Sequence, residues 1–333
     1  MKQYDIYAIG NALVDTEIEV SDADLERFGI QKGFMTLVDE ARQNELTDLL
    51  QDHLVASRRA SGGSACNTVI AASYFGAKTF YSCKLAEDDN GRFYLNDLER
   101  AGVDYLPAFA EHPGTSGKCL VLITPDAERT MNTFLGISAT VGAEQLHAPA
   151  ISQAKIIYIE GYLAASDSAT EAVCQLKQQG QANGAQIALT FSDPSMVNYC
   201  QDNLRTMIGD GVDLLFCNET EALDFTGKST LAEAVEALKP LCKKFALTLG
   251  AKGALVYDGE QSYQIAAHAV QPIDSNGAGD LFAGAFLYAI SHGHTFPEAG
   301  ALASLASATL VTQFGPRLDP TQYEAIRQQV LGA

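Results

Sequence analysis

Ile156-Ile157-Tyr158-Ile159 opens a stretch, running to about residue 258, in which short β-branched runs alternate with segments of helical period. Ala169 to Gln179 comes next, then Gln186 to Phe191, Leu204 to Ile208, Val212 to Phe216, Leu231 to Leu238 and Phe245 to Leu249. Alternation of this kind predicts a parallel sheet covered by helices on both faces. The strands are continuous apolar runs, as a sheet buried on both sides requires.

Toward the N-terminus the pattern is less regular. Met1 to Gly10 reads as a short strand interrupted by Asp5, without the charged start and long apolar core of a signal peptide. Helical stretches (Glu40 to Gln51, Asn67 to Phe75, Asn90 to Ala101) alternate with strands there too. Leu13 to Val20, Phe34 to Val38, Lys118 to Thr124 and Thr130 to Leu135 predict a separate small antiparallel sheet. Other elements interrupt these strands, so we expect excursions at about residues 11–20, 31–38 and 104–136 that form a lid on a single α/β domain over residues 1–333. No repeat, low-complexity tract or Pro/Ser-rich linker marks a boundary.

Composition restricts the function. The 22 Lys+Arg against 41 Asp+Glu leave a net charge of −19, the wrong sign for binding phosphate backbones or anionic lipid. We therefore expect neither nucleic acid nor membrane as partner. Leu281 to Ile290 and Ala301 to Phe314 are too short or too rich in Ser and Thr to span a bilayer. Seven widely spaced cysteines with no Cys-x-x-Cys pair fit reduced, buried thiols in a cytoplasm better than a disulfide frame or zinc site. The six histidines form no metal spacing, and His292-Gly293-His294 reads as a surface turn.

Two phosphate-binding motifs fail on inspection. Gly227-Lys228-Ser229 resembles the end of a Walker A loop, but Ala222 stands where its first glycine belongs, and the segment reads as a helix C-cap and turn. A dinucleotide fingerprint at Gly277 and Gly279 would need a third glycine where Phe282 stands. The run Asp274-Ser275-Asn276-Gly277-Ala278-Gly279-Asp280, leading into the apolar Leu281 to Tyr288, reads differently. Small residues at 277–279 let a ligand approach the backbone, and the unpartnered first-turn amides of the helix that follows form an anion hole. Asp280 would also serve as a plain first-turn acid, but that needs neither three small residues nor the second acid, Asp274. An acid beside an amide nest can accept the proton of an attacking hydroxyl during phosphoryl transfer, which points to an alcohol kinase.

These residues resemble the second signature of the ribokinase (phosphofructokinase-B type) family of carbohydrate and nucleoside kinases, Asp-Thr-x-Gly-Ala-Gly-Asp, with Ser275 in place of Thr. The resemblance extends over essentially the whole chain and implies a ribokinase-like fold, a doubly covered and mostly parallel sheet bearing a β-sheet lid. The other signature, a Gly-Gly turn followed by an Asn opening a helix, appears as Ser61-Gly62-Gly63-Ser64-Ala65-Cys66-Asn67. By resemblance, Gly62, Gly63, Ser64 and Asn67 hold substrate hydroxyls together with Asn11 and with Asp15 on the first lid strand. Asn218-Glu219-Thr220-Glu221 resembles the Asn-x-x-Glu motif that organises Mg²⁺ through water near the phosphates. Thr248, Gly250 and Gly253 match a Thr-x-Gly-x-x-Gly turn on the nucleotide, beside Asn276. Arg129 lies where the family carries a lid cation that reaches the transferred phosphoryl group. Family members often also bind a monovalent cation such as K⁺, for which Asp274 and Ser275 occupy the expected positions.

Within the family the resemblance is to the adenosine kinase branch, through Gly10-Asn11-x-Leu13-Val14-Asp15, the lid excursion through Met35 and Leu37, Cys119, and Phe216 to Glu221. Leu13, Met35, Leu37, Cys119, Met131, Tyr162 and Leu163 are placed around the base and are mostly apolar, as a nucleobase slot requires. Met35 stands where that branch tends to carry Gln. The expectation is an ATP- and Mg²⁺-dependent kinase acting on a nucleoside primary hydroxyl, foremost the 5′-OH of adenosine. It would work in the cytoplasm as a monomer or homodimer, with Asp280 as general base and Gly277, Ala278 and Gly279 as anion hole. The alternatives are a kinase for ribose, fructose or a sugar acid, and a non-catalytic ligand-binding protein on the same fold.

Overall fold

A computed structural model describes residues 2–53, 58–106 and 114–332. Its strands, in chain order, are β1 Tyr4–Ile9, β2 Leu13–Glu19, β3 Met35–Leu37, β4 Arg58–Gly62, β5 Thr79–Ser82, β6 Asp104–Tyr105, β7 Gly117–Ile123 and β8 Arg129–Phe134. They continue with β9 Ala154–Ile159, β10 Gln186–Thr190, β11 Val212–Asn218, β12 Cys242–Thr248, β13 Ala254–Tyr257 and β14 Ser262–Ile265. A large sheet has the order β14-β13-β12-β11-β10-β9-β1-β5-β6. It is parallel from β6 to β12 and antiparallel at the β13 and β14 edge.

Both faces of that sheet are covered, which is why its strands read as unbroken apolar runs. On one face Ile6, Ala8, Ile156, Tyr158, Leu214 and Phe216 pack under the helices Ser64–Phe75, Ala278–Ser291 and Phe296–Leu310. On the other, Tyr7, Ile9, Ile157, Ile159, Leu215 and Leu247 pack under the helices Asp167–Ala182, Gln201–Ile208 and Leu231–Leu238. Alternate residues of one strand thus enter two different cores. Helix starts follow local chemistry: Ser166, Thr230 and Thr295 each accept a hydrogen bond from the N–H three residues on. Gly227 is the left-handed C-cap expected of it.

The small sheet has the order β3-β8-β7-β2-β4. Its strands were expected to be antiparallel; the sheet is mixed, with β2 parallel to β7 and β3 parallel to β8. Only β7 and β8 are joined by a tight turn, so only they must run antiparallel. Arg58–Gly62, which pairs with β2, was not anticipated because Arg-Arg-Ala-Ser-Gly carries no apolar alternation. Asp104–Tyr105 belongs to the large sheet, not to the expected excursion over 104–136, and residues 107–113 of that excursion lie outside the described residues. One face of the small sheet packs Ile18, Leu120 and Leu122 against its own helices Asp22–Arg27 and Glu40–Leu49. The opposite face presents Cys119 and Val121 with Leu13 and Met131, and it faces the candidate site. All seven cysteines are free; Cys66, Cys119, Cys217 and Cys242 are buried, whereas Cys174 is exposed.

Candidate functional site

The parallel strands β1, β9, β10, β11 and β12 all end on one side of the large sheet, and the residues at or just past their ends are Asn11, Glu160, Ser192, Asn218 and Thr248. Ligands of open α/β sheets bind at this carboxyl edge. The helix Ala278–Ser291 starts there, with Gly277 as an N-cap in the left-handed region (φ 72°) and no side chain capping its first amides. Those N–H groups are directed at the edge, as an anion site requires.

Asp280 sits in the first turn of that helix, where it accepts hydrogen bonds from Ser64 Oγ at 2.6 Å and Asn67 Nδ2 at 3.0 Å. Both donors lie on the helix Ser64–Phe75, whose N-cap is Gly63, so Asn67 is one turn into the helix and does not open it. The two helices meet because Gly284, one turn beyond Asp280, has no side chain. A Cβ there would lie 2.5 Å from Thr68 O and 2.8 Å from Ala71 Cβ. Burial raises the Asp280 pKa, and the bonds from Ser64 and Asn67 partly oppose the rise. A carboxylate so held can take up a proton.

Asp280, Ser64, Arg129 and Ser192 are shared by two recesses. The inner one is lined by Asn11, Leu13, Asp15, Met35, Leu37, Gly63, Ser64, Asn67, Cys119, Arg129, Met131, Tyr162 and Asn276, all singled out from the sequence. Thr133, Leu135, Glu160, Ala165 and Ser192 complete it. Gly62 lies behind Asp15 instead of in the lining. Leu163 is buried in the core between sheet and helices and does not reach the slot. Asp15 is only 6% exposed; burial, then the neighbouring Glu17, pushes its pKa well up.

The second recess is lined by Asn218, Glu221, Thr248, Gly277 and Gly279. Asn218 and Glu221 form a reciprocal capping box: Asn218 N and Nδ2 both donate to the Glu221 carboxylate at 2.9 Å, and Glu221 N donates to Asn218 Oδ1 at 2.8 Å. Burial lifts the Glu221 pKa to about 7. Beyond Gly279 an outer, more apolar recess of about 520 Å³ is lined by Gly250, Gly253, Ala267, His268, Val270, Ser275, Ala278 and Val311. A Cβ at Gly279 would meet nothing within 4 Å, since it points into the space between the recesses.

Arg129, at the start of β8, donates to Asn276 Oδ1 at 3.5 Å, and Asn276 Nδ2 donates to Glu17 at 2.9 Å. Burial opposes the Arg129 charge, but Tyr162, Asp280, Asp193 and Asp274 around it raise its pKa on balance. Asp274 accepts from Asn276 N and Gly315 N, and Ser275 Oγ donates to Ala127 O in the β7–β8 turn.

Beside the lining residues Thr133, Leu135 and Ala165, three polar residues in or next to the site escaped sequence reading. Glu160 is wholly buried and accepts from Asn11 N, Asn11 Nδ2 and Ala65 N, tying the link between the two sheets to the helix that carries Ser64. Burial raises its pKa to about 7. Ser192 takes a left-handed backbone (φ 71°) and accepts from Gly161 N. Arg317 reaches Asn67 from beyond the helix Phe296–Leu310. An acid closing the apolar run of β9 was the only available signal among them; the other two depend on chain segments meeting in space.

Comparison with known proteins agrees with this geometry. The family model of pfkB family carbohydrate kinases matches residues 39–322. The chain belongs to that family. It is similar to the adenosine kinase of Saccharomyces cerevisiae, 27% identical over 336 residues that cover 93% of this chain and 96% of the relative. It is also similar to the ribokinase of Haemophilus influenzae, 27% identical over 80% of this chain and 86% of the relative. Among solved structures, adenosine kinase from Sinorhizobium meliloti superposes with a TM-score of 0.92 at 32% identity, covering 98% of this chain and 99% of that one. A probable sugar kinase from Rhizobium etli gives the same TM-score and identity over 99% of both chains. This pfkB kinase is therefore an ATP-using phosphotransferase whose acceptor is a hydroxyl of a nucleoside or sugar. No helix among the described residues is long and apolar enough to cross a membrane.

Proposed function

We propose that this kinase transfers the γ-phosphoryl group of ATP to the 5′-hydroxyl of adenosine or a closely related nucleoside. The supporting observation is the position of Asp280 between two unlike recesses. The inner one joins Asp15, Asn11 and Asn67, which suit a vicinal diol, to a wall of Leu13, Met35, Leu37, Met131 and Leu135, which suits a base. A free sugar would set its hydroxyls against that apolar wall without hydrogen-bond partners, at a cost that disfavours it.

In this reading Asp280 takes the 5′-OH proton as the oxygen forms its bond to the γ-phosphorus. The bond from that phosphorus to the β–γ bridging oxygen breaks, and ADP leaves with the electron pair. The amides of Gly277, Ala278 and Gly279 and the Arg129 guanidinium stabilise the charge on the transferring group. The small sheet acts as a lid that excludes water once the inner recess is filled. Among the described residues no three His, Cys, Asp or Glu side chains gather to hold a metal. A Mg²⁺ brought in with the nucleotide would supply charge neutralisation, and the Glu221 carboxylate, which lines the second recess, would hold it through water. A monovalent cation such as K⁺ would have to share Asp274 oxygens that already accept backbone N–H groups.

The test is a panel of adenosine, inosine, uridine, ribose and fructose assayed with ATP and Mg²⁺, with hydrogen exchange followed on the small-sheet amides. Adenosine should be phosphorylated and should protect those amides. Phosphorylation of a simple sugar with no turnover of adenosine would replace the nucleoside reading by the sugar-kinase one.

A further inference from the structure

Gly315-Pro316-Arg317, in the loop between the helices Phe296–Leu310 and Pro320–Leu331, touches the candidate site at three points. Gly315 N donates to Asp274 Oδ2 at 2.9 Å. Pro316 lies under the left-handed Gly277, where a Cβ would come within 2.8 Å of its backbone. Arg317 extends into the protein and spreads its guanidinium over Asp97, Ser61 and Asn67.

The contacts of that guanidinium have a direction. Nη1 pairs with the Asp97 carboxylate, and Nη2 donates to Ser61 O, to Ser61 Oγ at 2.8 Å and to Asn67 Oδ1 at 3.2 Å. Asn67 Nδ2 then faces Asp280 Oδ2 at 3.0 Å. A guanidinium can only donate and a carboxylate can only accept. An amide between them has one orientation that satisfies both, with its oxygen toward Arg317 and its NH₂ toward Asp280. Without Arg317 only the ionised Asp280 selects that orientation, and the selection lapses once Asp280 holds a proton, because its O–H could then donate to the oxygen of a flipped amide. We propose that Arg317, anchored by Asp97, is a positioning residue that fixes the Asn67 amide so that it donates to Asp280 throughout the reaction. The inference rests on the reading of Asp280 as proton acceptor. It adds a dependence of that acceptor on a part-buried arginine that does not line either recess.

The test compares kcat, KM and the pH profile of the whole chain, with ATP and adenosine (or ribose, if the panel selects it), for Arg317→Met, Arg317→Lys, Asn67→Ala, the Arg317→Met/Asn67→Ala double variant and Asp280→Asn. Arg317→Met should lower kcat about 10- to 100-fold, the worth of one hydrogen bond to a charged group, with KM for ATP little changed. The acid limb of its profile should move toward higher pH, because the carboxylate loses the fixed Asn67 donor together with the nearby Arg317 charge that holds its pKa down. Asp15, Glu160, Tyr158, Tyr162 and Arg129 also act on Asp280 or feel its charge, and all are retained. The double variant should be no slower than Asn67→Ala, since Arg317 would act through that amide.

Wild-type kcat and acid limb in Arg317→Met, or multiplied losses in the double variant, would overturn the inference. If Arg317→Met does not fold, Arg317→Lys decides: it keeps the charge and loses the planar fork, so the loss and the shifted limb should persist, and wild-type behaviour would refute the role. Near-wild-type turnover of Asp280→Asn would instead remove the proton-acceptor reading itself. An inactive Asp280→Asn beside an unaffected Arg317→Met would remove only the role of Arg317.

Discussion

Adding a single methyl group at Gly62 should disable acceptor binding while leaving the nucleotide side intact. A Cβ on Gly62 would lie 2.1 Å from Cγ and from both carboxylate oxygens of Asp15, where non-bonded carbon contacts need about 3.5 Å. The backbone of residue 62 cannot yield: Tyr94 donates to Gly62 O at 2.8 Å, Arg317 donates to Ser61 O, and the strand is paired with β2. The Asp15 carboxylate must therefore move by roughly 1.4 Å, the shortfall from ordinary contact. A displacement of that size at a positioning group costs about 10²-fold in kcat/KM, and crowding a buried site costs about 1–3 kcal/mol of stability. Gly62→Ala should fold, melt a few degrees lower, bind ATP as before and lose about two orders of magnitude in kcat/KM for the acceptor. Steady-state kinetics with the acceptor varied, beside calorimetric titration of ATP, would measure both. An unchanged acceptor kcat/KM in a folded Gly62→Ala protein would show that Asp15 does not grip the substrate.

Two further expectations concern buried ionisable groups. Because the Glu160 pKa is raised in the folded state to about 7, its neutral form favours folding: that stability is complete below the unfolded value near 4.5 and is lost as pH rises toward 7, at up to about 1.4 kcal/mol per pH unit. Glu221 adds to the same slope. Urea unfolding between pH 4.5 and 8 should show a shallower decline for Glu160→Gln than for wild type, and identical slopes would exclude Glu160 as a contributor. Lys177 is buried at the end of the helix Gln201–Ile208, with Nζ donating to Met207 O at 2.8 Å, to Ile208 O and to Gly211 O at 3.4 Å. Lys177→Met should cost about 2–4 kcal/mol by stranding those carbonyls without altering kcat, and an unchanged melting temperature would contradict this account.

Local chemistry determined much of this protein. The apolar runs of β9, β10, β11 and β12 state a sheet buried on both faces, because a strand open to water on one side would alternate. Ser166, Thr230 and Thr295 state where helices begin, and small residues, a helix start and an acid within one turn of chain mark Gly277 to Asp280 as a candidate anion site. Tertiary structure decided the rest. The parallel pairing of β2 with β7 joins residues about a hundred positions apart, and no hairpin turn records it. The approach of Asp280 to Ser64 and Asn67 depends on Gly284 lying against Thr68, and a glycine inside a helix does not announce its neighbour. Arg317 reads as one more charge in a polar loop; only packing turns it inward against Asp97, Ser61 and Asn67, and only then does its donor-only chemistry bear on which way Asn67 faces. Periodicity and capping are properties of neighbouring residues and can be read along the chain. The orientation of a buried side chain depends on groups that folding alone brings together.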